Sequence, residues 1–198
     1  MKSKKMSVVL TFDTQVLGTV PKDKKVYETY IASKASKIEG GKEEVATVQE
    51  VEERGWTGFH QDDHGLFCYS YMIRGFLKEA ATALKAQHRV KNFKSKIDKL
   101  VFVMQRRLHY TRNGKNITTP DGVFERPLRA MTMQGPRVTL ARSDSLNAGV
   151  SLKFDLLILD NNEGVNKEWI EGLFEYGQLQ GLGQFRNGSF GQFNVLIG

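Results

Sequence analysis

Apolar and polar residues alternate most regularly between Val150 and Leu159, where Val150, Leu152, Phe154, Leu156 and Ile158 take every second position. A period of two places them on one face of a strand, with Leu157 and Leu159 on the other. Tyr71 to His88 has a different period. Ile73, Phe76, Leu77, Ala80, Ala81 and Leu84 recur at helical spacing, with Ser70 as candidate N-cap. A second helix is predicted from Asn166, as its cap, to about Leu179, with Trp169, Ile170, Leu173, Phe174 and Tyr176 on its apolar side. Residues 7–20 read as a first strand ending at Gly18 and Pro21, and 23–37 carry a weak helical pattern broken by Gly40-Gly41. Residues 43–54 are charged, a short helix or an arm. Residues 56–69 read as a hairpin around the polar turn His60-Gln61-Asp62-Asp63-His64-Gly65, and 89–99 as a basic connector. A strand follows at 100–103, then a hairpin whose tip lies near Arg112-Asn113-Gly114-Lys115, because Asn-Gly favours a tight turn. Strand-like pieces occupy 123–142, a turn 161–164, and a last strand Phe193 to Ile197.

Few helices among many strands and hairpins predict an α+β fold with a mostly antiparallel sheet. A ferredoxin-like (RRM-like) βαββαβ core with a β-hairpin insertion and a C-terminal glycine-rich loop fits this order. With 198 residues, 40% of them hydrophobic, the expectation is a single domain over 1–198, with 89–142 as a basic insertion and hairpin region within it. No apolar run approaches the length of a membrane span. The basic start, Met1 to Met6, leads too quickly to Asp13 for a signal peptide. The single cysteine, Cys68, excludes an internal disulfide and a cysteine-rich zinc site, and its apolar surroundings favour a buried residue over a nucleophile. A cytoplasmic protein without cofactor or metal is expected.

Charge changes the picture. The net charge is +7, but residues 1–84 balance, with 12 Lys/Arg and 12 Asp/Glu. Residues 85–142 hold 14 Lys/Arg against Asp98, Asp121 and Glu125, a net of +11, and residues 143–198 carry a net of −4. Such a block suits a polyanion, since each neutralised phosphate releases a counterion, although a solvated basic face has the same composition. The acidic last third is suited to meet the basic middle of a neighbouring copy, head to tail. Within the block, Arg89, Lys91, Phe93, Lys94 and Lys96, then Arg106, Arg107, His109, Tyr110 and Arg112, interleave cations with aromatics. Cations track a phosphate backbone and aromatic faces stack on unpaired bases, unless Phe93 and Tyr110 belong to the core.

The strongest local signal is Gly181-Leu182-Gly183-Gln184-Phe185-Arg186-Asn187-Gly188-Ser189-Phe190-Gly191-Gln192-Phe193. Glycines here permit positive φ, and amides freed in this way can cradle phosphates; a tight helix-to-strand connection whose glycines only pack is the alternative. Neither a Walker A nor a dinucleotide fingerprint is present. A helix, Gly-Leu-Gly, a basic aromatic stretch, Gly-x-Phe-Gly-x-Phe and a terminal strand together resemble the glycine-rich loop of the RAMP superfamily, the RNA-binding proteins of CRISPR effector complexes. The segment Leu66 to Ala80 is similar to that superfamily's strand-to-helix element, with Arg74, Gly75 and Lys78 in its basic and glycine places and Tyr69 where a proline is usual. The match covers about 58–84 and 149–198, and short uncharacterised phage and prophage proteins carry the same two elements.

The resemblance implies a non-catalytic protein that binds single-stranded RNA, of guide type, or single-stranded DNA. Copies would stack head to tail, together with other CRISPR-like subunits, in an antiviral setting. Nucleic-acid contacts are expected from Arg74 and Lys78 on a helix facing the loop, and from Arg89, Lys91, Lys94, Lys96, Arg106, Arg107 and Arg112. Gly181, Gly183, Arg186, Gly188 and Gly191 would form the backbone cradle. Two alternatives stand beside this. His60, His64 and Asp63 could serve a metal-independent endoribonuclease of RAMP type, with a histidine as base toward a ribose 2′-OH, although a polar hairpin tip has the same residues. A phage protein that mimics a CRISPR subunit would instead bind a protein partner.

Overall fold

A computed structural model describes residues 2–22, 55–88, 90–132, 135–160 and 165–198, and it is α+β. The expected helix at 23–37, the charged segment 43–54, the turn 161–164 and Arg89 lie outside the described residues.

The central sheet is built on β1 (Lys2–Phe12), flanked antiparallel by β13 (Ser151–Asp160) and β14 (Phe193–Ile197), and β13 also pairs antiparallel with β7 (Val101–Val103). Helix α1 (Ser70–Ala83) comes between β1 and β7 in the chain, and α4 (Lys167–Gln180) joins β13 to β14. Neighbours in the order β14-β1-β13-β7 are therefore never joined through either helix. Alternation explains the packing: Met6, Val8, Leu10 and Phe12 of β1 and Leu152, Phe154, Leu156 and Ile158 of β13 are buried in one core. Ile73, Phe76, Leu77, Ala80 and Ala81 of α1 and Ile170, Leu173 and Phe174 of α4 complete it.

Several boundaries differ from expectation. The first strand begins at Lys2, not at residue 7, because Lys4 and Lys5 pair with Ile158 and Leu157 of β13. It also stops at Phe12, and Val16–Leu17 (β2) and Val20–Pro21 (β3) join a second sheet. Tyr69, not Ser70, is the N-cap of α1, and the Ser70 amide donates to the Arg106 carbonyl. The helix ends at Ala83, followed by the short α2 (Lys85–His88). The basic connector is a helix, α3 (Phe93–Leu100), whose buried Phe93, Ile97 and Leu100 at i, i+4 and i+7 are masked in sequence by intervening lysines. Asn166 caps α4 as expected, its Oδ1 accepting from the Trp169 amide at 2.9 Å.

The predicted hairpin at 56–69 divides. His60–Asp62 (β5) and Gly65–Tyr69 (β6) form it, with Asp63-His64 as the turn, while Trp56–Gly58 (β4) runs parallel to another strand. Strand β8 (Arg107–His109) pairs with β6 and closes a three-stranded sheet, β5-β6-β8. The Asn-Gly hairpin is β9 (Thr111–Arg112) and β10 (Lys115–Asn116), with positive φ at both Asn113 and Gly114. The pieces at 123–142 are one long hairpin, β11 (Gly122–Thr132) and β12 (Gly135–Leu146), paired in register from Gly122 opposite Ser145 to Thr132 opposite Gly135. Strand β12 meets β2 and β4 only through Arg142, Ser143, Ser145 and Leu146. Among the described residues, the seven pairs beyond them form a two-stranded arm about 24 Å long.

Candidate nucleic-acid interface

The three-stranded sheet separates its faces by period two. Leu66, Cys68 and Leu108 point into the core. Phe67 lies opposite both His60 and His109, and Tyr69 opposite Arg107, so these side chains share the outward face. His60 stacks on Phe67 (centroids 5.4 Å apart, 19°) and meets Tyr69 edge-on at 4.6 Å. Burial lowers the His60 pKa. Because β5 continues to Asp62, that residue shares the face of His60, and Asp63 falls in the exposed turn. Asp62 accepts from Arg107 Nη1 at 2.9 Å and from the His64 amide at 2.9 Å, and lies 2.9 Å from His109 Nε2. Desolvation pulls its carboxyl upward, but the bonds from His109, the His64 amide and Arg107 outweigh this and hold it at about 2. The rings of His64 and His109 are 5.9 Å apart. Thus Asp62, not Asp63, is the acid that holds His109, Arg107 and the His64 amide, while His60 packs on Phe67 and Tyr69 of the same face. Among the described residues, no group of His, Cys, Asp and Glu could hold a metal ion.

Cys68 is buried behind this face beside Tyr110, and desolvation raises its thiol to about 12, as suits a core residue. Tyr110 and Phe93 are buried too, 3% and 1% exposed, so neither can stack on a base. Tyr110 packs on Phe59 and Phe12, and Phe93 meets Trp169 edge-on.

All three acids of the basic block are paired. Arg112 grips Asp121 through both guanidinium nitrogens, at 3.0 and 2.6 Å, and lowers its pKa. Arg142 lies 2.8 Å from Glu125. Asp98 takes Arg74 at 3.1 Å and Lys78 at 3.3 Å, both from outside the block. Arg74 and Lys78 thus fasten α1 to α3 rather than facing the glycine-rich loop. That loop meets α1 through Glu79, which accepts from Arg186 at 2.9 Å. Lys91, Lys94, Arg106 and Lys115 are exposed, and Lys96 is half-buried.

The glycines of the loop serve its own closure. Gly181 (φ +79°) ends α4 with its amide on the Gly177 carbonyl, and a Cβ there would sit 2.5 Å from the Phe190 oxygen. The Leu182 amide donates to Gly191, and the Gly191 amide to Gln15. The Gly188 amide is bonded to Phe185, and its missing Cβ makes room for the Phe185 ring. The amides of Gly181, Gly188 and Gly191 are therefore used within the fold; Gly183 takes the positive φ of +102°. Phe185 and Phe190 pack on Phe124 of β11, and Arg126 lies 3.8 Å over the Phe185 ring, so the loop docks at the base of the arm. Gln184 Oε1 accepts from Thr57 at 3.0 Å.

Beside it lies a buried polar centre absent from the sequence reading. Asp144, 4% exposed, accepts from Trp56 Nε1 at 2.9 Å and pairs with Lys22 at 2.8 Å. Its signal was the polar run Ser143-Asp144-Ser145 inside a strand, where all three are buried.

No protein-family model matches the chain, and no curated protein matches it. Among solved structures it is similar to a chain in the cryo-EM structure of the Type III-B Cmr-beta bound to cognate target RNA. The TM-score is 0.53 at 12% sequence identity, over 99% of this chain and 61% of that one. This chain thus spans about three fifths of its neighbour's length, and the likeness is one of fold. No helix of the described residues is long and apolar enough to cross a membrane.

Proposed function

We propose that this chain is a non-catalytic binding protein for single-stranded RNA, built on a ferredoxin-like core of the RAMP kind. The strand order β14-β1-β13-β7, antiparallel throughout and crossed by α1 and α4, supports that core in one domain; β7, inside 89–142, is one of its four strands, so the insertion is the part of 89–142 that follows β7. The observation that carries the RNA reading is the state of the basic block. Its three acids are each held in ion pairs, yet Lys91, Lys94, Arg106 and Lys115 still face solvent, and Arg106 directly precedes β8 of the histidine-rich sheet. The fold neighbour is described with cognate target RNA, which favours RNA over other polyanions. In this reading Arg106, Lys91 and Lys94, all exposed, are the expected phosphate contacts, with Arg107 available once it leaves Asp62.

Head-to-tail assembly is part of the reading. A groove of about 510 Å³ between the end of α1 and α4 is lined by Glu168, Glu171 and Glu175 with Leu84, Tyr176 and Leu179, and its charge complements the basic block of a second copy. The test is binding of a labelled single-stranded RNA over a salt series. Arg106→Glu with Lys94→Glu should weaken binding and lower the salt slope by about 2. Unchanged affinity and slope would refute it. Light scattering should show copy number rising with RNA length.

The Asp62–His109 bond with His64 nearby favours a second reading, metal-independent RNA cleavage. It requires cleavage in chelator that His109→Ala and His64→Ala abolish.

A further inference from the structure

Tyr71, Phe102 and Met104 are 54%, 36% and 54% exposed, although each is large and apolar enough to be expected in a core. Tyr71 lies on α1, Phe102 on β7 and Met104 just beyond it, and Arg74 of α1 links the helix to Phe102. Tyr71 is in the first turn of α1, stacked on Tyr69 with centroids 5.7 Å apart at 22°. One turn further along the same helix face, Arg74 holds its guanidinium 5.8 Å over the Phe102 ring. Asp98 fixes it there by accepting from Nη2 with its backbone oxygen at 2.9 Å and its carboxylate at 3.1 Å. Met104 follows Phe102 by two residues, its amide bonded to the Asp155 carbonyl. The chain then reaches Arg106, whose guanidinium lies 5.9 Å over Tyr69 and whose carbonyl receives the Ser70 amide. Exposed aromatic rings therefore alternate with guanidinium groups across these elements.

We propose that this set of side chains is a stacking platform for unpaired bases, with Tyr71 and Phe102 as the rings that receive them and Arg74 and Arg106 as the flanking cations. It rests on the single-stranded RNA reading above and gives that reading the aromatic component that the buried Phe93 and Tyr110 cannot supply. The cations select a polyanionic occupant, and flat exposed rings select one whose bases are free, which excludes a duplex. Every base has a π-face, so the platform tolerates any sequence and distinguishes strandedness instead.

The test compares a 12-nucleotide oligoadenylate RNA with an abasic ribose-phosphate oligomer of the same length and charge, by fluorescence anisotropy. Tyr71→Ala and Phe102→Ala should each weaken oligoadenylate binding about tenfold and leave the abasic oligomer unaffected. Tyr71→Phe should bind as wild type, because the ring and not the hydroxyl is used. Since both rings are exposed, circular-dichroism melting should show the variants folded. Equal loss on both oligomers would assign these residues to charge alone and overturn the platform. Wild-type-like binding by both alanine variants would also overturn it while leaving RNA binding intact. No binding of either oligomer by wild-type protein would overturn the RNA reading itself, and the platform with it.

Discussion

His109 Nε2 lies 2.9 Å from Asp62 Oδ1, across a strand from where the turn begins, while Arg107 donates to the other carboxylate oxygen at 2.9 Å. One acid thus aligns two basic groups from β8 on the outer face of β5-β6-β8. The folded carboxyl is held at about 2, below its unfolded value. Its contribution to stability is then fully present above the ordinary carboxylate range and is lost as pH falls through about 2. Asp62→Asn should flatten the dependence of unfolding on pH between 4 and 2, measured by circular dichroism. It should also raise affinity for single-stranded RNA a few-fold, since Arg107 loses its competing anion.

His60 titrates in the opposite chemical sense with the same consequence. Its folded pKa is lowered by burial, so the unfolded state binds more protons near pH 6 and stability falls as pH drops below the ordinary histidine value. His60→Phe keeps a ring against Phe67 and should remove this part of the slope. Melting temperatures at pH 7.5 and 5.5 should converge in the variant relative to wild type.

Asp144→Ala should destabilise the protein by about 2–3 kcal/mol in urea unfolding, because Trp56 Nε1 and Lys22 lose their shared acceptor in a mostly buried setting. The half-exposed Lys22 keeps the loss below that of a fully buried pair. Asp144→Asn retains an oxygen for the indole and should lose less.

Gly191 and Gly75 should behave oppositely. At Gly191, φ is +72° and a Cβ would overlap the Leu182 carbonyl oxygen, so Gly191→Ala should cost roughly 2–4 kcal/mol. At Gly75, inside α1, a Cβ meets nothing within 4 Å, so Gly75→Ala should stabilise by up to about 1 kcal/mol. Equal effects in thermal unfolding would contradict the described loop.

Phe93→Ala should cost about 3–5 kcal/mol, as for other buried aromatics. Variant protein still folded at low temperature should retain wild-type RNA affinity, whereas neighbouring Lys94→Glu should lower affinity with little change in stability.

The strands at 150–159 and 193–197, the body of the helix from Tyr71, the Asn166 cap and the Asn-Gly turn were all legible in the sequence, because each depends on local period or local hydrogen bonding; the Tyr69 cap and the end at Ala83 were not. The helix at 93–100 was not, since three apolar residues among lysines give too short a signal. The partition of cations was also beyond local reasoning. Nothing near Arg74 or Lys78 in sequence reveals that Asp98, about twenty residues away, will take both. Nor does anything near Arg186 point to Glu79. The loop glycines were visible as a pattern, but only the Gly177, Phe185 and Gln15 carbonyls that accept from Gly181, Gly188 and Gly191 show that most of their amides close the loop. By itself, the sequence determined the charge surplus, the α+β class and the main elements, through composition and spacing. The tertiary structure alone decided which histidines share a face with Asp62 and which aromatic rings are left at the surface, because strand register and long-range packing set both.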